Sequence, residues 1–181
     1  AVSAAGFTGD GRHLITAADD GTLAIWNTLD QTLAHSIDSL ERPIRSITTL
    51  TNVGIFAAVD GGASLQWWSI DGGVPLKRIQ FDEHSLFPPG ISPDGSVIAA
   101  GTQDRRSVSI HREGAAQATG TVSGFSSWVK GVAFSGMSDR MAVLAYDDSV
   151  SIRAIASGQV IRNLRHPDAD VQRVACSDDG T

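Results

Sequence analysis

Residues 5–26 read Ala-Gly-Phe-Thr-Gly-Asp-Gly-Arg-His-Leu-Ile-Thr-Ala-Ala-Asp-Asp-Gly-Thr-Leu-Ala-Ile-Trp. Apolar and polar residues alternate over short runs here, and turns rich in Gly and Asp cut the runs every few residues. A period of two broken by such turns marks consecutive antiparallel hairpins rather than a helix. The spacing predicts strands over Val2 to Phe7, Leu14 to Ala18, Thr22 to Trp26 and Thr32 to Ser36. The connections, Thr8 to Gly11, Asp19 to Gly21 and Asn27 to Gln31, are hairpin-sized.

Outward from this stretch the same organisation returns. Trp26, Trp68, His111 and Arg153 each close an alternating run, at steps of 42, 43 and 42 residues. The Asp-Gly turns at Asp10, Asp94 and Asp179 keep the same phase. Four strands in about 42 residues cannot bury both sheet faces alone, so each sheet must stack on copies of itself. Radial stacking of four-stranded sheets gives a propeller. The fold expected is all-β: four four-stranded blades plus the first strand of a fifth, in a ring of six to eight blades. The repeats span about 1–42, 43–84, 85–127, 128–170 and, in part, 171–181. A chain that opens in a first strand and stops at a first turn is expected to be a piece of a longer polypeptide.

One local irregularity is legible. Pro88 and Pro89 fall where the first strand of the third repeat belongs, and two residues without an amide hydrogen cannot both avoid the ladder. That strand should begin near Gly90, with the loop from Asp82 to Pro89 standing out as a recognition loop or a neutral irregularity.

The stretch from Ala5 to Trp26 resembles the WD-repeat pattern almost position by position, and Ile91-Ser-Pro-Asp-Gly95 matches its first turn. The resemblance runs along the whole chain but decays, with His111 and Arg153 standing where the family has Trp. In that family a Gly-His pair, an Asp between the second and third strands, and the Trp form a hydrogen-bonded set within each blade. The resemblance assigns the turn role to Asp19, Asp60 and Asp104, with Tyr146 there in the fourth repeat, and the blade role to Trp26 and Trp68. Ser39-Leu40 and Gly124-Phe125 occupy Gly-His positions, and His166 sits one residue out of register. Complete sets are therefore not expected, and packing should hold the blades.

Composition bounds function. Of 181 residues, 41% are hydrophobic and 19% charged, a globular balance. No run approaches the roughly 18 apolar residues of a membrane-spanning helix, so no membrane partner is expected. A formal charge of −6 argues against phosphate-driven nucleic-acid binding. Cys176 is the single cysteine, which leaves no internal disulfide or multi-cysteine metal site. No charged leader with an apolar core is present, so a targeting signal lies upstream or does not exist, and a cytoplasmic location is expected.

Chemistry-bearing residues have structural readings. The pairs Asp19-Asp20, Asp147-Asp148 and Asp178-Asp179 all fall at tight turns, where Asp accepts hydrogen bonds from nearby amides. His13, His35, His84, His111 and His166 show no i, i+2 or i, i+4 spacing for zinc. No nucleophile elbow or phosphate-cradling glycine motif occurs. The chain is read as a non-enzyme with no cofactor and no metal. The resemblance implies protein partners on the rim formed by the fourth-to-first and second-to-third strand loops. Arg42, Arg45, Trp128, Lys130 and Arg173 fall near first strands on that rim, with Gln103 and Tyr146 on the other loops, and Trp128 is the leading candidate. An interaction scaffold is the first functional expectation. A sensor or regulatory propeller in a larger multidomain protein or enzyme is the alternative.

Overall fold

The computed structural model describes residues 1–38, 42–50, 54–60, 64–81, 87, 89–112, 115, 117–165 and 170–177. Ser39-Leu40, His84, His166 and Asp178 to Gly180 lie outside these residues, as does most of the loop from Asp82 to Pro89. The fold is all-β, in four antiparallel four-stranded sheets, each strand pairing with its neighbours in sequence. Two compact units divide the chain, residues 1–83 and 84–181.

The first unit holds β1 (Val2–Phe7), β2 (His13–Ala18), β3 (Leu23–Asn27) and β4 (Thr32–Ile37), then β5 (Ile44–Thr49), β6 (Ile55–Asp60), β7 (Ser64–Ser69) and β8 (Pro75–Gln80). The second holds β9 (Gly90–Ile91), β10 (Val97–Gly101), β11 (Val108–Arg112) and β12 (Gly120–Val122), then β13 (Val129–Phe134), β14 (Arg140–Ala145), β15 (Ser149–Ala154) and β16 (Val160–Arg165). The strands of the first sheet fall within a residue of those expected. β9 begins at Gly90, after the two prolines, and only Gly90 and Ile91 pair with β10.

The ladders carry the repeat into three dimensions. Trp26, Trp68, His111 and Arg153 stand opposite Leu14, Phe56, Ile98 and Met141, one equivalent register position in each sheet. Even the irregularities recur: the first strand slips at Val2/Ala4, Ile44/Ser46 and Val129/Gly131.

Burial explains why alternation fades inside the repeats. The second strands β6 and β14 are buried at five consecutive positions each, because they lie mid-sheet with both faces covered. The outer strand β16, by contrast, is exposed throughout. In the first unit Ile15, Ala17, Leu23 and Ile25 of the first sheet pack with Ile44, Phe56, Ala58 and Trp68 of the second. The Phe56 and Trp68 rings stack at 5.3 Å. In the second unit Val97, Ala99, Val108 and Ile110 pack with Val129, Met141, Val143 and Ile155. Trp67 and Trp68 are both buried, paired with Ala57 and Phe56 respectively, as opposite faces of one strand require. Gly73 sits at φ +60°, which favours glycine on backbone grounds, and a Cβ there would also press on His35 and Ile37 at 3.3 Å.

Residues 170–177, where the first strand of a fifth sheet is expected, join no ladder among the described residues and are held by bonds to the fourth sheet. The Lys130 ammonium donates to the Val171 carbonyl at 2.8 Å and the Cys176 thiol to that of Ala133 at 3.7 Å. The Val171 amide donates to Asp148 Oδ1 at 3.1 Å. These partners lie 41, 43 and 23 residues away, so the segment runs beside β13, the first strand of the fourth sheet.

Candidate protein-binding face

Three loops of the second unit bring one aromatic and cationic cluster together. The β10–β11 turn supplies Arg105, the segment before β13 supplies Trp128, and the β14–β15 turn supplies Tyr146. The Arg105 guanidinium lies 5.2 Å from the centre of the Trp128 ring, and Trp128 meets Tyr146 edge-on at 6.5 Å and 80°. Lys130 Nζ sits 5.4 Å over the Tyr146 ring while bonding Asp170 at 3.0 Å. Backbone bonds lock the loops to each other: the Val129 amide donates to the Arg105 carbonyl and the Tyr146 amide to the Trp128 carbonyl, both at 2.8 Å. Trp128 and Tyr146 remain 44% and 51% exposed, a large aromatic area for a folded surface.

Of the expected rim residues, the structure unites Trp128, Tyr146 and Lys130. Gln103 is exposed in the same turn as Arg105. Arg173 is exposed in the unpaired segment 170–177, and Arg42 and Arg45 are exposed at the start of β5 in the other unit. Arg105 is the member sequence reasoning missed. It has φ +60° in the turn position that Gly21 fills at +88° and Asp148 at +61°. Aligning that turn on Gly21 is the signal that could have found it.

The turn aspartates need correction. Ladder register puts Asp19 with Gln103 and Tyr146, Asp20 with Asp104 and Asp147, and Asp60 with Ala18, so Asp19, Asp60 and Asp104 occupy three successive positions. Asp20 and Asp104 accept from the amide two residues on, at 3.0 and 2.9 Å, and Asp147 does so at 3.3 Å. Asp60 is buried and accepts from the Ser64 amide at 3.0 Å, while Asp19 lies 3.3 Å from the amino terminus.

These bonds shift the carboxyls. The Thr102 hydroxyl first, then the Arg106 amide, holds Asp104 below its ordinary value of 3.8. Ser126 and then Ser149 do the same at Asp147, Thr22 at Asp20, Thr8 at Asp10 and Thr32 at Asp30. Since the native values lie below 3.8, the stability these groups contribute is complete above that pH and is lost as pH falls through the lower native values. The melting temperature should therefore hold down to about pH 4 and drop below it, and Asp104→Asn should shallow the drop in a pH series of thermal melts.

The anchor positions differ in polar partner. Trp26 Nε1 donates to Thr16 Oγ1 at 2.9 Å across to β2. In the third and fourth sheets the hydroxyl comes instead from the anchor's own strand, Ser109 at 3.1 Å from His111 Nε2 and Ser151 at 3.1 Å from Arg153 Nε. Burial lowers the His111 pKa. Trp68 Nε1 is buried with no hydrogen-bond partner among the described residues, because Ala58 stands where Thr16 stands in the first sheet. No group of three or more His, Cys, Asp or Glu that could hold a metal occurs among the described residues, and no described helix is long and apolar enough to cross a membrane.

Repeating four-stranded sheets in one register, with a Trp or its substitute at the same ladder position, define a protein built from propeller-type blades. The family model for the WD domain, G-beta repeat, matches residues 1–27. The chain is 26% identical over 182 residues to the periodic tryptophan protein 2 homolog of Dictyostelium discoideum, an alignment covering 96% of this chain and 19% of that protein. The chain thus spans about a fifth of that relative's length, and residues 1–27 match the WD repeat.

Proposed function

We propose that this stretch of WD repeats is a non-catalytic scaffold that binds a protein partner through the Arg105–Trp128–Tyr146 face. WD repeats generally mediate protein–protein interaction. The observation that carries the finer reading is the exposed Trp128 ring, held between a guanidinium and a tyrosine on a segment whose backbone bonds both neighbouring turns. Trp, Tyr and Arg dominate binding hot spots because they offer large area and strong hydrogen bonds from side chains that lose little freedom. A pre-formed cluster has that freedom already restricted.

The test uses the full-length native protein. Partner proteins captured by the wild type should be lost, about tenfold or more, with Trp128→Ala, which removes a ring that is nearly half exposed and should cost about 1–2 kcal/mol of stability while leaving the protein folded. Undiminished capture by a folded Trp128→Ala protein would overturn the proposal.

A second reading, a regulatory propeller within a larger protein, is supported by the relative, in which the matching stretch is 19% of the length. It predicts that Trp128→Ala alters an activity housed elsewhere in the full polypeptide.

A further inference from the structure

The anchor position of the fourth sheet holds a charge where the second sheet holds an indole. Trp68 fills its place fully, stacked on Phe56. Arg153, at the equivalent position, is 8% exposed and lines a cavity of about 420 Å³ between β15, β16 and the segment before β13. Its Nε donates to Ser151 Oγ at 3.1 Å, its Nη1 to the Gly158 carbonyl at 3.2 Å, and its guanidinium lies 4.5 Å over the Phe125 ring. No carboxylate pairs with it among the described residues. Burial without a counter-ion pulls its pKa below the ordinary value. A buried cation of this kind is a liability that an apolar residue would remove, and it is sustained by ring and hydroxyl contacts that fix its orientation.

The lining decides what would complete it. Among the described lining residues Arg165 is a second cation and Asp147 the one acidic group. Asp147 is kept ionised by Ser126 and Ser149, at 2.5 and 2.6 Å, which also occupy its oxygens. Two cations and one anion leave a single positive charge, which matches one carboxylate and not a dianionic phosphate. Asn163 adds an amide donor, while Val160 and Leu164 give the cavity an apolar side for the methylenes of the arriving group.

We infer that the cavity beside Arg153 is a binding site for a carboxylate, the glutamate or aspartate side chain of a bound polypeptide. Its delivery on a polypeptide rests on the protein-binding reading; the affinity for a carboxylate does not. Arg153 is the pre-oriented donor, able to face a carboxylate with its planar guanidinium, and Arg165 adds charge from the exposed outer strand.

The test titrates the chain with N-acetyl-glutamate N-methylamide while following arginine Nε–Hε resonances by NMR, with the glutamine analogue and inorganic phosphate as parallel probes. The Arg153 resonance should move saturably with the glutamate probe, at least tenfold less with its glutamine analogue, and less with phosphate. Arg153→Gln should abolish the response at the Arg165 resonance. Should that variant fail to fold, Arg165→Gln, at an exposed position, should weaken binding about threefold or more, read at Arg153. Equal response to the glutamine analogue, tighter binding of phosphate, or undiminished binding by Arg165→Gln and any folded Arg153→Gln would each overturn the inference. Because the readout does not involve Trp128 or a captured protein, it can fail while the binding face stands, and the reverse.

Discussion

Trp68→Ala should lower the unfolding free energy by about 3–5 kcal/mol, the range for deleting a large aromatic from a packed core. Trp26→Ala, at the same ladder position of the preceding sheet, should cost only about 1–2 kcal/mol, since that ring is partly in water and the loss is mainly one hydrogen bond and part of its apolar area. The difference follows from burial: Trp68 is wholly enclosed and stacked on Phe56, whereas Trp26 is 37% exposed. The polar edge runs the other way. Trp26 has the Thr16 hydroxyl, while the Trp68 Nε1 donor is buried without a partner among the described residues. Placing an acceptor where Thr16 stands, by Ala58→Ser, should return about 1 kcal/mol, and Ala58→Val, which adds volume and no acceptor, should return none. Urea titrations followed by circular dichroism measure all four variants. Equal losses for the two tryptophans would mean that register position rather than enclosure sets their worth.

Much of this was legible in the sequence, because a period of about 42 is a long signal that no local ambiguity can erase. Trp26, Trp68, His111 and Arg153 align in sequence and coincide in the ladders, although two of the four have changed chemistry. The delayed strand at Gly90 was legible for a covalent reason, the missing amide hydrogens of two prolines. Single-residue register at the turns was not. Asp19 and Asp20 are chemically identical neighbours, and only the amide that Asp20 accepts, that of Thr22, tells which one closes the turn. Residues 170–177 carry the pattern of a first strand, but sheet pairing belongs to two segments at once, and no ladder partner for them is among the described residues. Trp128, Tyr146 and Lys130 are suggested by their loops, but their meeting depends on bonds between the segment before β13 and the turns at Arg105 and Tyr146. Arg153 reads in sequence as a tryptophan lost; the cavity beside it is visible only in three dimensions.

Arg105→Gly separates the backbone of the proposed binding face from its side chain. Arg105 holds φ +60°, where a residue with a Cβ is strained by about 1 kcal/mol or more. Glycine removes that strain, as Gly21 does in the first sheet, but it loses the cation–ring contact with Trp128 and adds freedom to the unfolded chain, each worth about 0.5–1 kcal/mol. The contributions nearly cancel, so the melting temperature should barely move. Arg105→Ala keeps the strain and loses the contact, so it should melt lower. Binding should order differently, because a partner resting on Trp128 meets the guanidinium beside it. Both variants should weaken the partner by about 10- to 100-fold, roughly 1.4–2.7 kcal/mol, whatever their stability. Arg105→Lys should fall between, keeping the charge without the flat guanidinium that stacks on the indole. Surface plasmon resonance against the captured partner, beside thermal melts of the same preparations, reads both orders at once. If affinity followed melting temperature across the three variants, Arg105 would act only by shaping its turn; affinity lost in Arg105→Gly with the melt unchanged places the guanidinium in the contact itself.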